Sequence, residues 1–222
     1  MIGIHYNPPK TPIEILFKDQ SIIVVNKPPG LLSVPGKPPD HSDCVLSRLN
    51  ERIFGTRVVH RLDMDTSGIM IFARTPSAQA NLGKQFEERQ IKKSYLAKVL
   101  GCVKLDNDVI RLPLIVDWPN RPKQKICYKT GRMAITKYRV LERNDENSLV
   151  HLSPITGRSH QLRIHMTSLG HPILGDTLYG HSSNRHKFKR LYLHSQKIEL
   201  THPQSLKRMI FNVPCPFTLA ED

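Results

Sequence analysis

The chain has 222 residues, with 33 lysines and arginines against 19 aspartates and glutamates, for a net charge of +14. A chain of this length buries roughly 70% or more of the surface it exposes when unfolded and needs no disulfides; its cysteines, Cys44, Cys102, Cys127 and Cys215, are scattered without C-x-x-C spacing. Met1 to Lys10 shows no basic segment followed by an apolar core, and runs such as Ile22 to Val25 fall far below the ~20 residues that span a bilayer, so a reducing, cytoplasmic setting is expected.

Ile13 to Phe17 and Ile22 to Val25 are short β-rich segments joined by Lys18-Asp19-Gln20-Ser21, the pattern of a hairpin. Lys27-Pro28-Pro29-Gly30 ends the second strand, and the Pro- and Gly-rich stretch to about His41 reads as loop. A short helix follows in which Val45, Leu46, Leu49 and Ile53 share a face. Val58 and Val59 lead into a loop from His60 to Gly68, and the apolar run Ile69 to Ala73 reads as a buried strand. Thr75-Pro76 supplies an N-cap and a proline at the first helical position for a helix to about Arg89, with Leu82 and Phe86 on its apolar edge. Ser94 to Leu100 alternates as a strand, and Val109 to Leu112 forms a shorter one.

Pro113 to Lys129 carries Pro113, Pro119 and Pro122 together with Arg121, Lys123 and Lys125, and is expected to be a long, irregular basic loop that touches RNA. Strands are predicted at Ala134 to Leu141 and Ser148 to Ser153. A helix from about Ser159 to Leu169 follows, with Gly170 as its left-handed cap, and closing strands at Leu191 to Leu200 and Arg208 to Phe211. Neighbouring strands with short connections and about three helices give an α+β fold, a mainly antiparallel mixed sheet with flanking helices and loops, in one domain over residues 1–222. The isoelectric point near 9.8, with basic residues spread from Lys84 to Arg208, indicates a folded surface that meets a polyanion, nucleic acid before membrane.

Charged and small polar residues stand directly before the apolar run at Ile69, which holds the carboxylate of Asp63 where a strand begins, next to His60 and Arg61. Asp63 is the candidate nucleophile. Asp63 and Asp65 could instead pair around Mg²⁺, as in a nuclease or phosphotransferase, although no further acidic cluster of the two-metal kind lies nearby. At Gly157-Arg158-Ser159 a turn opens a helix whose N–H groups could meet an anion, while His160 and His165, five apart, are poorly spaced for zinc. Arg163 is either an ordinary surface arginine or the cation that keeps Asp63 ionised. With no P-loop and no dinucleotide fingerprint, no stored cofactor is indicated. The chemistry that remains is covalent or acid–base work on a nucleic-acid base or sugar.

Four blocks in this order resemble the RluA family of RNA pseudouridine synthases: His60-Arg61-Leu62-Asp63 with Thr66-Ser67-Gly68; Lys93 to Val99; Gly157 to His165; and His171 to Asp176 with Tyr179-Gly180. The likeness extends through Val24 to Leu31 and Asp117 to Lys125, and so over nearly the whole chain; the last segment resembles the dual-specificity branch, which acts on 23S rRNA and on the tRNA anticodon stem-loop. The resemblance implies a pseudouridine synthase catalytic fold around a central cleft, without a preceding S4-type RNA-binding module. It also implies a cofactor-free, metal-free reaction on RNA by a monomer, with no DNA or membrane partner. It makes Asp63 the essential aspartate, sets Tyr95 against the flipped uracil for the later proton removal, and pairs Arg163 with Asp63. Arg61 would fill the space left when the target base leaves its stack. Asp65 falls at an open position and takes no role. Without an S4 module, Arg121, Lys123 and Lys125 gain weight as RNA contacts, alongside His60, Arg158 and His160. A non-catalytic stem-loop RNA-binding protein is the alternative, and a metal-dependent RNA nuclease a more distant one.

Overall fold

A computed structural model of the chain describes residues 6–180 and 187–220; residues 1–5, within the segment read above for a leader, lie outside them. The described residues fall into two compact units, one from the chain up to Ile91 with Lys197–Val213, the other from Lys92–Gln196 with the stretch from Pro214.

In the first unit, β1 (Glu14–Lys18) and β2 (Ile22–Lys27) form the expected antiparallel hairpin. Its turn is fixed by Asp19, whose Oδ1 accepts from the N–H of Ser21 at 2.7 Å and of Ile22 at 2.8 Å, a local hydrogen-bonding habit of short polar side chains. The other side of β2 pairs antiparallel with β4 (Ser67–Ala73), in register from Ile22 opposite Ala73 to Lys27 opposite Gly68. All seven residues of β4 are buried, which explains why its sequence is apolar without alternation. The short β3 (Arg57–Val58) pairs with the end of β4. α1 (Val45–Arg52) buries Val45 and Leu49, and α2 (Pro76–Glu87) begins as predicted, with Thr75 Oγ1 accepting from Ala78 N–H at 3.1 Å. Ile22, Val24, Ile69 and Ile71 pack with Leu82 of α2 and with Ile198 and Leu200 of β10 (Leu193–Thr201), which enters this unit at Lys197 and pairs with β11 (Arg208–Asn212). Each of these side chains contributes about 1.5–3 kcal/mol by burial.

The second unit is an antiparallel sheet in the order β5 (Lys92–Leu100), β9 (Asn147–Pro154), β8 (Arg132–Arg143), β6 (Asn107–Val116), β7 (Gln124–Ile126), with α3 (Gln161–Ser168) following β9. A bulge at Leu141 shifts the register between β8 and β9, from Val140 opposite Val150 to Glu142 opposite Leu149. α3 is shorter than predicted because His160 takes a left-handed φ of 54° and cannot begin the helix. At its other end the N–H of Gly170 bonds to Thr167 and that of His171 to Met166, a Schellman closure that needs the positive φ of Gly170. Among the described residues sheet dominates and there are three α-helices, so the fold is α+β.

The expectation of an irregular loop over Pro113 to Lys129 is overturned. β6 continues through Pro113 to Val116, a 3₁₀ turn covers Trp118–Asn120, and β7 pairs back on β6 with Leu114 opposite Ile126 and Val116 opposite Gln124. Pro113 lacks only a donor: its carbonyl still accepts from Cys127 N–H at 2.9 Å. Burial of Leu114 against Ala134 and Ile164 outweighs the local preference of the prolines for loop. Among the described residues, no helix is long and apolar enough to cross a membrane.

Candidate active site

Asp63 sits half-buried on the loop between β3 and β4, and the backbone on both sides of it is pinned. Ser33 Oγ accepts from Leu62 N–H at 3.1 Å and donates to Leu62 C=O at 2.7 Å. On the other side, Met64 C=O accepts from Gly30 N–H at 3.0 Å and from the buried Lys27 ammonium at 2.7 Å. Lys27 Nζ also donates to the carbonyls of Pro28 (2.9 Å) and Leu31 (2.7 Å), so three converging dipoles hold a charge that burial would otherwise make costly. A further bond from Thr66 N–H to Asp63 C=O, 3.2 Å, closes the turn. The segment 27–33 is therefore a rigid bed for the Asp63 loop. His60 accepts from Ile71 N–H at 2.9 Å through Nε2 and lies 4.7 Å from the Phe86 ring, which ties the start of the loop to β4 and α2. Arg61, between these anchored neighbours, is exposed.

In the second unit, the Arg163 guanidinium on α3 grips Asp176 through two bonds, Nε to Oδ2 at 2.8 Å and Nη2 to Oδ1 at 2.7 Å, with side chains 3% and 0% exposed. Burial alone would raise the Asp176 carboxyl. The hydrogen bonds and charge of Arg163, with N–H donors from Tyr179 and Leu178, outweigh it and hold the group below the usual carboxylate range. The guanidinium carbon lies 5.3 Å from the centre of the Tyr179 ring. The Tyr179 hydroxyl in turn lies 2.7 Å from His160 Nδ1 and accepts from Gln124 N–H at 2.7 Å. This one phenol thus joins the turn before α3, the buried ion pair and the base of the β6–β7 hairpin. Gln161 secures the same turn, taking hydrogen bonds from Thr156 Oγ1 (2.7 Å) and Arg158 N–H (3.0 Å) while donating to Ile135 C=O (3.0 Å) on β8. His165 is buried, and its pKa is lowered to about 4 by that burial, so it is neutral near pH 7.

Arg61, His60 and Asp63 thus lie on one loop of the first unit, and Tyr95, Arg121, Lys123, Lys125, Arg158, His160 and Arg163 belong to the second. Tyr95 is buried in β5 opposite Leu152. His160 and Arg163 meet at Tyr179, whereas Arg158 is exposed at the turn. Arg121 and Lys125 are exposed on the hairpin, and Lys123 is half-buried there. Sequence reasoning missed Lys27, Ser33, Asp176, Tyr179 and Gln161 as positioning groups. All but Ser33 lie within blocks that carried the family resemblance, and that placement was their only signal.

Comparison with known proteins places the chain in a family. The family described as RNA pseudouridylate synthase matches residues 21–168. Proteins named dual-specificity RNA pseudouridine synthase RluA are similar to this chain along almost their whole length. The one from Yersinia pestis is 50% identical over 204 residues, 91% of this chain and 99% of its own. That of Escherichia coli (strain K12) is 49% identical over 215 residues, 96% and 98% of the two chains. That of Vibrio cholerae is 47% identical over 218 residues, 98% and 89%. Among solved structures, human RNA pseudouridylate synthase domain containing 1 is similar with a TM-score of 0.80 and 28% identity, covering 97% of this chain and 89% of that one.

Proposed function

Since the chain belongs to the RNA pseudouridylate synthase family, we propose that it isomerises specific uridines in both 23S rRNA and the anticodon stem-loop of tRNAs, with Asp63 as the nucleophile. The near-half identity to relatives named for dual specificity supports the pair of substrates. The family match runs through both compact units, which supports reading them as one catalytic domain. The reaction breaks the N1–C1′ glycosidic bond, forms a C5–C1′ bond, and moves a proton from C5 while N1 gains one. Every atom but that exchanged proton is kept, and no electron is lost. The chemistry therefore needs a nucleophile, a base and fixed charge rather than a redox cofactor, and a covalent link through Asp63, on ribose or on base, divides one difficult exchange into easier steps.

The observation that carries the role of Asp63 is the construction of its loop, with Ser33, Gly30 and Lys27 clamping the residues on either side. Preorganisation of this kind holds a reacting carboxylate within the small tolerance that catalysis allows. Tyr95 lies against the uracil and takes part in proton removal. Arg163 uses two of the five guanidinium donors on Asp176 and supplies the fixed positive charge that an ionised nucleophile needs. His60 orients the loop from Ile71, leaving exposed Arg61 to enter the RNA as the target base flips out. Arg121, Lys123, Lys125, Arg158 and His160 contact the RNA, with single-stranded loops as the favoured targets. The protein acts as a cytoplasmic monomer. Tritium release from [5-³H]uridine-labelled anticodon and ribosomal stem-loops tests the reading. Release from both, unchanged by EDTA, is expected; release from one alone refutes dual specificity, and strand scission abolished by EDTA refutes the isomerase.

A further inference from the structure

We propose that Trp118, backed by Arg121, is a stacking subsite for one unpaired base of the RNA substrate; the inference rests on the reading of the chain as an RNA-modifying enzyme. Trp118 is the only tryptophan in the chain and is 66% exposed. An exposed indole is a large apolar surface left in water, and such surfaces mark binding sites when their surroundings fit a ligand. Here they do. The Arg121 guanidinium carbon lies 3.2 Å from the centre of the indole ring, a planar cation stacked on a planar ring. Aromatic and guanidinium planes are the groups on which unpaired bases stack.

The platform stands on a built turn. Asp117 N–H bonds to Lys123 C=O at 2.9 Å, Asn120 N–H to Asp117 C=O at 2.9 Å, and Lys123 N–H to Asn120 C=O at 3.0 Å. The single carboxylate of the turn, Asp117, is engaged by Asn120 Nδ2 at 2.8 Å and by the Lys125 ammonium at 3.3 Å. The surface around the indole is therefore cationic on balance, suited to a phosphate backbone whose base it receives. The next residue, Gln124, is tied to the Tyr179 hydroxyl, so the platform is fixed relative to Arg163 and His160 of the same unit. A base held on Trp118 thereby sets the register of the RNA against those groups.

The sole tryptophan makes the test direct, because every change in indole emission reports this position. Full-length protein is titrated with an anticodon stem-loop, and then with stem-loops carrying one abasic nucleotide at each loop position in turn. Saturating stem-loop is expected to quench the emission, and one abasic position is expected to abolish the quench. By anisotropy with labelled RNA, Trp118→Ala weakens binding by about 5- to 150-fold, Trp118→Phe restores most of the affinity, and Arg121→Lys falls between. Full quenching by every abasic stem-loop, equal quenching by an acidic peptide such as poly-glutamate, or unchanged affinity in Trp118→Ala would overturn the proposal. Tritium release measured on the same preparations separates the two readings. Pseudouridine formation without quenching sinks the stacking subsite alone, and base-dependent quenching without pseudouridine sinks the isomerase alone.

Discussion

Replacing Asp176 by Asn removes one charge from a deeply buried ion pair of the second unit while keeping the side-chain volume. Both partners are essentially inaccessible, at 3% and 0%, and are joined by bonds of 2.8 and 2.7 Å, so the variant takes the Asp176 charge away from a buried guanidinium. Breaking a buried pair from one side costs about 3–5 kcal/mol. For a chain of this size, that lowers the melting temperature by about 6–20 °C. The pH dependence has a definite sign. The folded pKa of Asp176 lies below that of the unfolded chain, so its contribution is fully present above the unfolded value and is lost as pH falls through the folded one. The stability difference between wild type and Asp176→Asn should therefore be constant above about pH 5 and shrink as the pH falls below about 4. Urea unfolding followed by circular dichroism at a series of pH values measures it. A loss under about 1 kcal/mol, the worth of an exposed pair, or a difference that grows on acidification would show that the pair does not stabilise the fold as a buried one.

Three further outcomes follow from the same geometry. Arg61→Lys keeps the charge but loses the planar guanidinium, and should slow single-turnover isomerisation by about tenfold or more, a few kcal/mol of unstacking being at stake; an unchanged rate would remove Arg61 from base flipping. Ser33→Ala leaves both the N–H and the C=O of Leu62 without their partner, each buried group costing about 1–3 kcal/mol, so the single-turnover rate should fall while the RNA dissociation constant barely moves; equal effects on both would argue against a role specific to the Asp63 loop. Replacing Arg121, Lys123 and Lys125 together by Ala should reduce the slope of log K against log salt by about 2 for single-stranded contacts, and an unaltered slope would show that the hairpin does not meet phosphates.

Elements whose cause is local were legible in the sequence. Thr75-Pro76 marks the start of α2 because cap and first-turn proline act within three residues, and the apolar run of β4 announces its own burial. The β6–β7 hairpin was not legible. Its prolines favour loop locally, whereas the pairing of Pro113 with Met133 and the burial of Leu114 depend on a strand about 20 residues away. Lys27 illustrates the same limit at the site. A lysine closing a strand reads as a surface charge, yet carbonyls one, four and 37 residues away converge on its ammonium. Asp63 stood out because charge and hydropathy change abruptly around it. Asp176 did not, since nothing in its neighbourhood hints at the arginine that buries it, 13 residues earlier.

If Asp63, on its clamped loop, performs the isomerisation, Asp63→Asn is the variant that tests it with the least disturbance, because the backbone bonds of the loop are untouched. Tritium release in single turnover and RNA affinity should be measured on the same preparations. The rate should fall at least about 10⁴-fold below wild type, with the RNA dissociation constant largely preserved. Turnover close to wild type in Asp63→Asn would contradict it.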